Sequence, residues 1–245
     1  MNSNEQPLSI SVGARASPLS QAQTREVLQE LRVHHPHVIF DSKFVQTTGD
    51  VDQVTSLRAL DKTNFFTKEI DEMLLTGQCR IAIHSAKDLP EPLPQGLKLV
   101  ALTKGLDSAD VLVFRTNEGL DQLSSGAVVA TSSERREEAV RLLRDDLTFI
   151  DLRGTIDQRL AKLDCGEADA VVIAEAALIR LGLTDRNRIR LPGSTTHHQG
   201  RIAILAREDD VEMCKLFACL WSPPNFVNEP VPEPVPEKNE LNLRM

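Results

Sequence analysis

Four short stretches of the sequence combine arginine or lysine with hydroxyl side chains, and each follows a predicted strand. They are GARASPL at 13–19, HSAKD at 84–88, TSSERR at 131–136 and RGTIDQR at 153–159. Guanidinium groups bind carboxylates and phosphates through paired hydrogen bonds, and the N–H groups at helix N-termini also favour anions. The four stretches therefore indicate a site for a ligand that carries several carboxylates or phosphates.

Each stretch has a simpler explanation when it is considered alone. GARASPL can be a capped helix with a surface arginine, TSSERR can begin a solvated helix with Glu–Arg pairs, and RGTIDQR can be a turn before a surface helix. HSAKD can end a strand with a surface Lys–Asp pair, and its His84 is more simply a structural residue than a base. Because all four stretches follow strands, a shared anion site explains them better.

Asp88 is the exception in this cationic set. A single carboxylate among arginines suits a reaction in which a cation is stabilised or a proton is moved. Neighbouring side chains of an extended segment point in opposite directions, so Lys87 and Asp88 need not pair. One can then hold a ligand carboxylate while the other faces the reacting cation.

These stretches must be positioned by alternating strands and helices. The predicted strands are 8–13, 37–46, 80–84, 97–103, 111–114, 127–131, 148–152, 168–174 and 201–206. The predicted helices are 18–32, 65–75, 132–144, 155–163, 175–183 and one that ends near Trp221, while 47–50 predicts a turn and 51–64 a loop. The alternation predicts an α/β fold with mixed, largely parallel sheets. The strands are too many for one small sheet, which predicts two domains with ligands beyond the strand ends.

The composition excludes several classes of protein. The 245 residues carry a net charge of −8, which disfavours general nucleic-acid binding. No apolar run is long enough to span a membrane, and the N-terminus lacks the pattern of a secretory signal. The four cysteines, at 79, 165, 214 and 219, form no C-x-x-C pair and have no zinc spacing. We therefore expect free thiols, no metal site and a cytoplasmic location.

The last segment, 223–245, differs in composition from the rest. The residues from Ser222 onward contain six of the 13 prolines, with glutamates between them. A segment of this kind has too little apolar surface for a core of its own, so it predicts an extended, disordered tail.

A set of motifs runs collinearly through residues 8–221. It comprises GARASPLSQAQ, TTGD, FFTKE, IAIHSAKDLP, PQGL, ATSSERR, LRGTIDQRL, RLGL and HHQG. In this order the motifs resemble the hydroxymethylbilane synthase family, also called porphobilinogen deaminase. Each motif is short, but the collinear set is highly specific.

The resemblance implies a transferase of porphyrin and haem biosynthesis. Such an enzyme joins four porphobilinogen units head to tail, with release of ammonia, on a dipyrromethane cofactor. The resemblance also implies two domains like those of periplasmic binding proteins with the active site in the cleft between them. Domain 1 would be 1–103 plus 201–222, and domain 2 would be 104–200. We expect a monomer whose partners are porphobilinogen and oligopyrroles, without nucleic acid or membrane.

The resemblance also implies roles for individual residues. Asp88 would be the catalytic aspartate that stabilises the pyrrole cation and assists proton transfer. The carboxylate-binding residues would be Arg15, Ser17, Lys87, Thr131, Ser133, Arg135, Arg136, Arg153, Arg159 and Arg180. The supporting residues would be Gln23, Asp50, Ser85, Gln199 and Gly200.

Three departures from the family pattern leave two functions open. The family's third domain carries the cysteine that binds the cofactor covalently, and no cysteine here matches it. LDKTN at 60–64 replaces a glycine-rich lid segment, and Thr155 and STTHH at 194–198 also depart. We expect a synthase that holds its primer non-covalently or through an unexpected cysteine. The alternative is a non-catalytic binder of pyrrole carboxylates or another polyanion. A nucleic-acid-binding regulator is disfavoured by the acidic balance.

Overall fold

The computed structural model describes residues 8–56, 58 and 63–221. The strands are β1 (Ser9–Arg15), β2 (Ile39–Val45), β3 (Ile81–Ser85), β4 (Leu97–Leu102), β5 (Asp110–Phe114), β6 (Val128–Ala130), β7 (Thr148–Ile150), β8 (Ala170–Ala174), β9 (Arg188–Arg190) and β10 (Ile202–Arg207). The helices are α1 (Pro18–His34), α2 (Thr48–Val51), α3 (Lys68–Leu75), α4 (Glu134–Arg141), α5 (Ile156–Asp164), α6 (Glu175–Leu181) and α7 (Val211–Leu216).

The strands form two mixed five-stranded sheets. The first has the order β2-β1-β3-β10-β4 and the second has the order β7-β6-β8-β5-β9. In each sheet one strand, β10 or β5, is antiparallel to its neighbours, and the other four share one direction. The predicted α/β class with largely parallel sheets is therefore confirmed.

Each sheet has its own core. Val27, Leu31 and Phe217 pack with the central strands of the first sheet, and Leu163 and Leu178 pack with those of the second. The central strands read as nearly continuous apolar runs because helices cover both of their faces. Since β10 returns to the first sheet, the chain crosses between the sheets twice, at 103–109 and at 191–201.

Three local predictions were wrong. Residues 48–51 form the short helix α2 rather than a turn, because the Asp50 carboxylate accepts hydrogen bonds from the Thr47 N–H and hydroxyl. Helix α4 spans 134–141 and not 132–144, because the backbone at Ser133 is extended and residues 142–143 form turns. Strand β9 was missed because an edge strand that reads Arg-Ile-Arg lacks a buried apolar run.

Some predictions fall on residues that lie outside the described part of the chain. These are the tail at 223–245 and most of the altered lid segment at 60–64. Among the described residues, no helix is both long enough and apolar enough to cross a membrane.

Candidate active site

A cavity of about 230 Å³ lies between the carboxyl ends of β1 and β3 in the first sheet and the segments around α4 and α5 in the second. Its lining includes the predicted residues Arg15, Ser17, Gln23, Asp50, Ser85, Lys87, Asp88, Arg136, Arg153 and Arg159. These positions are up to 144 residues apart along the chain, from 15 to 159. The fold therefore gathers most of the predicted set around one cavity.

A second cavity of about 510 Å³ adjoins the first. The two share Phe66, Lys87 and Asp88 in their linings. The second is also lined by Ser133, which belongs to the predicted set, and by His198. Asp88 therefore stands where the two cavities meet.

Asp88 lies in a single 3₁₀ turn, Ala86–Asp88, that directly follows β3. The turn forms where the Ala86 N–H bonds to the Arg201 carbonyl and the Leu89 N–H bonds to the Ala86 carbonyl. The prediction of an extended segment was wrong for this reason, and both Lys87 and Asp88 line the same two cavities. The Asp88 side chain is 27% exposed, so a bound ligand can reach it.

Arg15 is the cation nearest to Asp88 by ion pairing. Its Nη1 lies 3.9 Å from Asp88 Oδ2, and its guanidinium is paired more closely with Asp50. The Phe66 ring covers the guanidinium at 4.6 Å from the ring centroid. Burial opposes ionisation of Asp50, but the bonds and charge of Arg15 outweigh it and lower the pKa of that carboxyl. Arg15 is therefore held in place before any ligand binds.

Three other cations around the cavity have no carboxylate partner among the described residues. Lys87 Nζ donates to the Gln199 side-chain oxygen at 3.4 Å, and Arg159 Nε donates to the Gly154 carbonyl at 2.9 Å. Arg153 Nη2 donates to the Asp52 carbonyl at 2.5 Å, while its buried Nε has no partner in the described structure. Their charges are therefore not neutralised by a carboxylate of the described residues, and a ligand carboxylate could bind their remaining N–H groups.

The same three cations destabilise one another. Burial lowers the pKa of Lys87 to about 8, and the charge of Arg136 adds to this effect. Burial lowers the pKa of Arg159 to about 10, with further lowering by Arg136 and Arg153. The pKa of Arg153 is also lowered, mainly by burial. Such shifts are typical of a positive site that binds anions, because an anion would relieve the repulsion.

Two of the predicted arginines lie outside the first cavity and already have carboxylate partners. Arg135 binds Asp110, the Ser194 carbonyl and the Thr196 hydroxyl. Arg180, whose side chain is 4% exposed, binds Glu26 and the Gly200 carbonyl. It therefore connects α6 to α1 and is not directed at the cavity.

The other predicted residues outside the first cavity are buried or form backbone contacts. Thr131 is buried, and its hydroxyl accepts from the Ser133 N–H at 3.3 Å. Gln199 is buried between the Ser108 carbonyl and Asp110. At Gly200 the φ angle is +82°, and a Cβ would lie 2.2 Å from the Asp107 carbonyl oxygen. Gln199 and Gly200 therefore hold the two crossing segments together.

Sequence reasoning missed Asp110, Phe66 and Arg58. Asp110 begins the buried strand DVLVF and binds both Arg135 and Arg136. Burial opposes its ionisation, but the charges of these two arginines lower its pKa to about 2. Arg58 lines the second cavity and binds Asp151 and Glu137. An acidic residue at the head of an apolar strand is the signal that could have found Asp110.

None of the four cysteines lines either cavity. Cys79 is buried, and burial raises the pKa of its thiol to about 11, which makes it a weak nucleophile. Cys165 and Cys219 are exposed, and Cys214 lies within α7. The described residues thus place no thiol beside Asp88.

The fold and the site define a two-sheet α/β protein with a cavity lined by several cations. The family model for the porphobilinogen deaminase, dipyromethane cofactor binding domain, matches residues 10–215. Porphobilinogen deaminase from Desulforudis audaxviator is 40% identical over 211 residues, which is 85% of this chain and 68% of that protein. The enzyme from Thermus thermophilus is 41% identical over 222 residues, covering 89% and 71%. The chain belongs to the porphobilinogen deaminase family, which consists of transferases of porphyrin biosynthesis.

Solved structures share the fold at low sequence identity. A periplasmic substrate-binding protein of an ABC transporter from Coxiella burnetii aligns with a TM-score of 0.54 at 17% identity, covering 87% of this chain and 92% of that one. The reduced regulatory domain of OxyR2 from Vibrio vulnificus aligns with a TM-score of 0.51 at 16% identity, covering 90% and 95%. The predicted periplasmic-binding-protein-like fold is therefore confirmed, and this likeness concerns the fold alone.

The matched family model is that of a dipyrromethane-binding domain, and the residues of the cavity fit such a group. A dipyrromethane carries acetate and propionate side chains, and these require several cationic donors. Lys87, Arg153 and Arg159 offer such donors without carboxylate partners among the described residues. The buried, unpaired Nε of Arg153 is a further donor that a carboxylate would satisfy.

Proposed function

We propose that this protein is a hydroxymethylbilane synthase that joins four porphobilinogen units into a linear tetrapyrrole. At each step the bond between the aminomethyl carbon and nitrogen breaks, and a carbon–carbon bond to the next pyrrole forms. The pyrrole carbon loses a proton, and the leaving nitrogen departs as ammonia. After four such steps, water would release the tetrapyrrole and supply its hydroxyl group. One observation carries the proposal: Asp88 lies among cations of which three have no carboxylate partner in the described structure.

The charges in the cavity suit this reaction. Porphobilinogen carries two carboxylates, which Lys87, Arg153 and Arg159 would neutralise through charge-assisted hydrogen bonds. Loss of ammonia leaves a positive charge on the pyrrole, and the Asp88 carboxylate would oppose that charge. Asp88 would also accept or return a proton at the joining carbon. Arg15 is paired more closely with Asp50 than with Asp88, so it offsets the charge of Asp88 only in part.

The dipyrromethane would supply the pyrrole carbon to which the first unit is joined. Arg136, together with those donors of Arg153 and Arg159 that the substrate leaves unused, would hold its acetate and propionate groups. Ser17 begins α1 and accepts a hydrogen bond from the Ser20 N–H, which leaves its hydroxyl hydrogen for a ligand. Gln23 and Ser85 bond to each other at 2.9 and 3.0 Å and would form a neutral wall beside the pyrrole ring.

The wider features are proposed on the same basis. The first sheet would be the centre of domain 1 (1–103 plus 201–222), and the second would be the centre of domain 2 (104–200). We propose a cytoplasmic monomer that acts on porphobilinogen and oligopyrroles, with no nucleic-acid or membrane partner.

Turnover of porphobilinogen tests the proposal. The full chain would be incubated with porphobilinogen, with and without added dipyrromethane, and the released ammonia and the uroporphyrin formed after oxidation would be measured. We expect consumption of substrate in at least one of these conditions. Absence of turnover in both would overturn the proposal, and saturable calorimetric binding of oligopyrroles without turnover would support the non-catalytic binder instead.

The mode of cofactor binding needs a separate measurement. Intact-mass spectrometry of the purified chain would detect a covalent dipyrromethane, and peptide mapping would locate it. We expect no adduct on Cys79, Cys165, Cys214 or Cys219, because none of them lines either cavity. An adduct on one of these cysteines would contradict this expectation without affecting the proposed reaction.

A further inference from the structure

Asp110 is a buried carboxylate that does not line either cavity but binds Arg136, which lines the first. It begins β5 and is 2% exposed. We infer that Asp110 is a positioning residue, which holds Arg136 directly and Lys87 through Gln199 in the arrangement that the site requires. The inference rests on the proposed function for its catalytic readout, and its other readout is independent of turnover.

Three side chains donate hydrogen bonds to the Asp110 carboxylate. Its Oδ1 accepts from Arg136 Nε at 2.9 Å, from Arg136 Nη2 at 2.6 Å and from Gln199 Nε2 at 3.0 Å. Its Oδ2 accepts from Arg135 Nη2 at 2.6 Å. Asp110 thus binds Arg136 through Nε and Nη2. This leaves Nη1 for a ligand in the cavity that Arg136 lines.

The Gln199 amide has a single possible orientation. Both of its neighbours on one side, Asp110 and the Ser108 carbonyl at 2.7 Å, can only accept hydrogen bonds, so the amide nitrogen must face them. The amide oxygen therefore points to Lys87 Nζ, at 3.4 Å. A chain of contacts runs from Asp110 through Gln199 to Lys87, next to Asp88.

This network joins both sides of the cavity. Arg136 belongs to the second-sheet side and Lys87 to the first-sheet side, while Asp110 and Gln199 lie at the ends of the two crossing segments. The negative charge of Asp110 offsets the repulsion that Arg136 and Arg159 exert on Lys87. Loss of this charge would leave Arg136 without its partner and Lys87 beside an uncompensated guanidinium.

The central test is the variant Asp110→Asn, which keeps the shape and removes the charge. We expect kcat for porphobilinogen to fall about tenfold or more, the order expected when hydrogen bonds to a charged group are lost. Affinity for citrate, an unreactive tricarboxylate, should not weaken, because the cavity becomes more positive. Asp164→Asn is the matched control, since Asp164 forms a two-bond pair with Arg186 at the surface.

The second readout follows the titration of Lys87, which faces Asp88, Arg136 and Arg159 and reaches Asp110 through Gln199. Carbamylation of Lys87 by cyanate would be followed by peptide mass spectrometry as a function of pH. The midpoint should lie near 8 in the unaltered protein and shift to lower pH in Asp110→Asn. Gln199→Leu, which keeps the Asp110–Arg136 pair, should shift the midpoint in the same direction.

The outcomes separate the two proposals. If the unaltered protein lacks turnover, the proposed function fails, and the Lys87 titration still decides the role of Asp110. A folded Asp110→Asn variant with unchanged kcat and an unchanged Lys87 midpoint would overturn the inference, and a lowered melting temperature alone would indicate a purely structural role. If Asp110→Asn does not fold, an unchanged midpoint in Gln199→Leu overturns the inference.

Discussion

The two sides of the cavity differ in the signs of the charges they contribute. The first-sheet side carries both signs, with Arg15 and Lys87 beside Asp50 and Asp88. On the second-sheet side the charged lining residues among those the structure describes are the cations Arg136, Arg153 and Arg159. The carboxylate that belongs to that side, Asp110, is buried behind Arg136.

The difference suggests that one side of the cavity carries the reacting group and the other binds the substrate. A side with both signs can hold a carboxylate ready to face a cation, which is what the reacting centre needs. A side with cations alone can bind the acid side chains of a pyrrole but has no group to move a proton. We therefore expect loss of Asp88 on the first-sheet side to lower kcat, and loss of a lining cation on the second-sheet side to raise KM.

The largest effect should come from Asp88→Asn. The amide has nearly the same shape but can neither oppose a cation with a full charge nor accept a proton. We expect kcat to fall by about 10²–10⁴-fold, the range for loss of a general acid–base group, with little change in KM. Initial rates of porphobilinogen consumption would measure this. A kcat within a few-fold of that of the unaltered protein would show that Asp88 is not the reacting group of the first-sheet side.

The next effect concerns the free energy of unfolding and a buried pair, Asp71 and His84, behind the first-sheet side of the cavity. Asp71 and His84 are both buried. Asp71 Oδ1 lies 3.8 Å from His84 Nε2, and neither atom has a hydrogen-bond partner in the described structure. Burial raises the pKa of Asp71 from 3.8 to about 6. The folded state therefore binds this proton more tightly than the unfolded state. The resulting contribution of Asp71 to the free energy of unfolding is complete below the unfolded pKa of 3.8 and is lost as the pH rises through about 6.

Asp71→Asn should remove this pH dependence. The free energy of unfolding of the variant minus that of the unaltered protein should grow between pH 4 and 6 by about 2 kcal/mol. Burial lowers the pKa of His84 to about 3, so its contribution has the opposite sign, is present in both proteins and cancels in the difference. Urea titrations at several pH values would measure the difference. A difference that stays constant from pH 4 to 6 would contradict the assignment.

On the second side, Arg159→Gln should raise KM for porphobilinogen by about 10-fold to 100-fold, as expected for loss of charge-assisted hydrogen bonds. Its kcat should change little, since Arg159 would hold the substrate and move no proton. Arg186→Gln is a suitable control, because Arg186 is paired at the surface with Asp164. A loss of kcat at unchanged KM would place Arg159 among the reacting groups instead.

The smallest effect is expected where the two halves of the molecule are joined. Glu26→Gln removes the carboxylate that pairs with the buried Arg180 but keeps one acceptor. We expect a loss of about 1 kcal/mol of unfolding free energy, with kcat and KM unchanged. Thermal unfolding and steady-state kinetics would measure these quantities. A large change in KM would show that the α1–α6 contact controls the spacing of the two sides.

Much of the fold and of the site was predictable because it depends on local patterns. The apolar runs of β3, β8 and β10 and the Ser17-Pro18 start of α1 are signals within a few residues. Charged and hydroxyl residues after strands predicted which side chains would meet, since strand ends of one sheet share an edge. Strand β9 was not predicted because Arg-Ile-Arg has no apolar run, and its arginines pair with residues elsewhere in the chain, Glu175 and Asp107.

The sequence by itself determined which side chains could form the cavity, namely Arg15, Lys87, Asp88, Arg136, Arg153 and Arg159. Only the tertiary structure decided which cations are left for a ligand. Arg135 and Arg180 have the same chemistry as Arg159, but Asp110 and Glu26 reach them from distant parts of the chain. The charge of a guanidinium stays unpaired for a ligand only where no carboxylate lies within bonding distance, and that distance is set by how the two sheets pack.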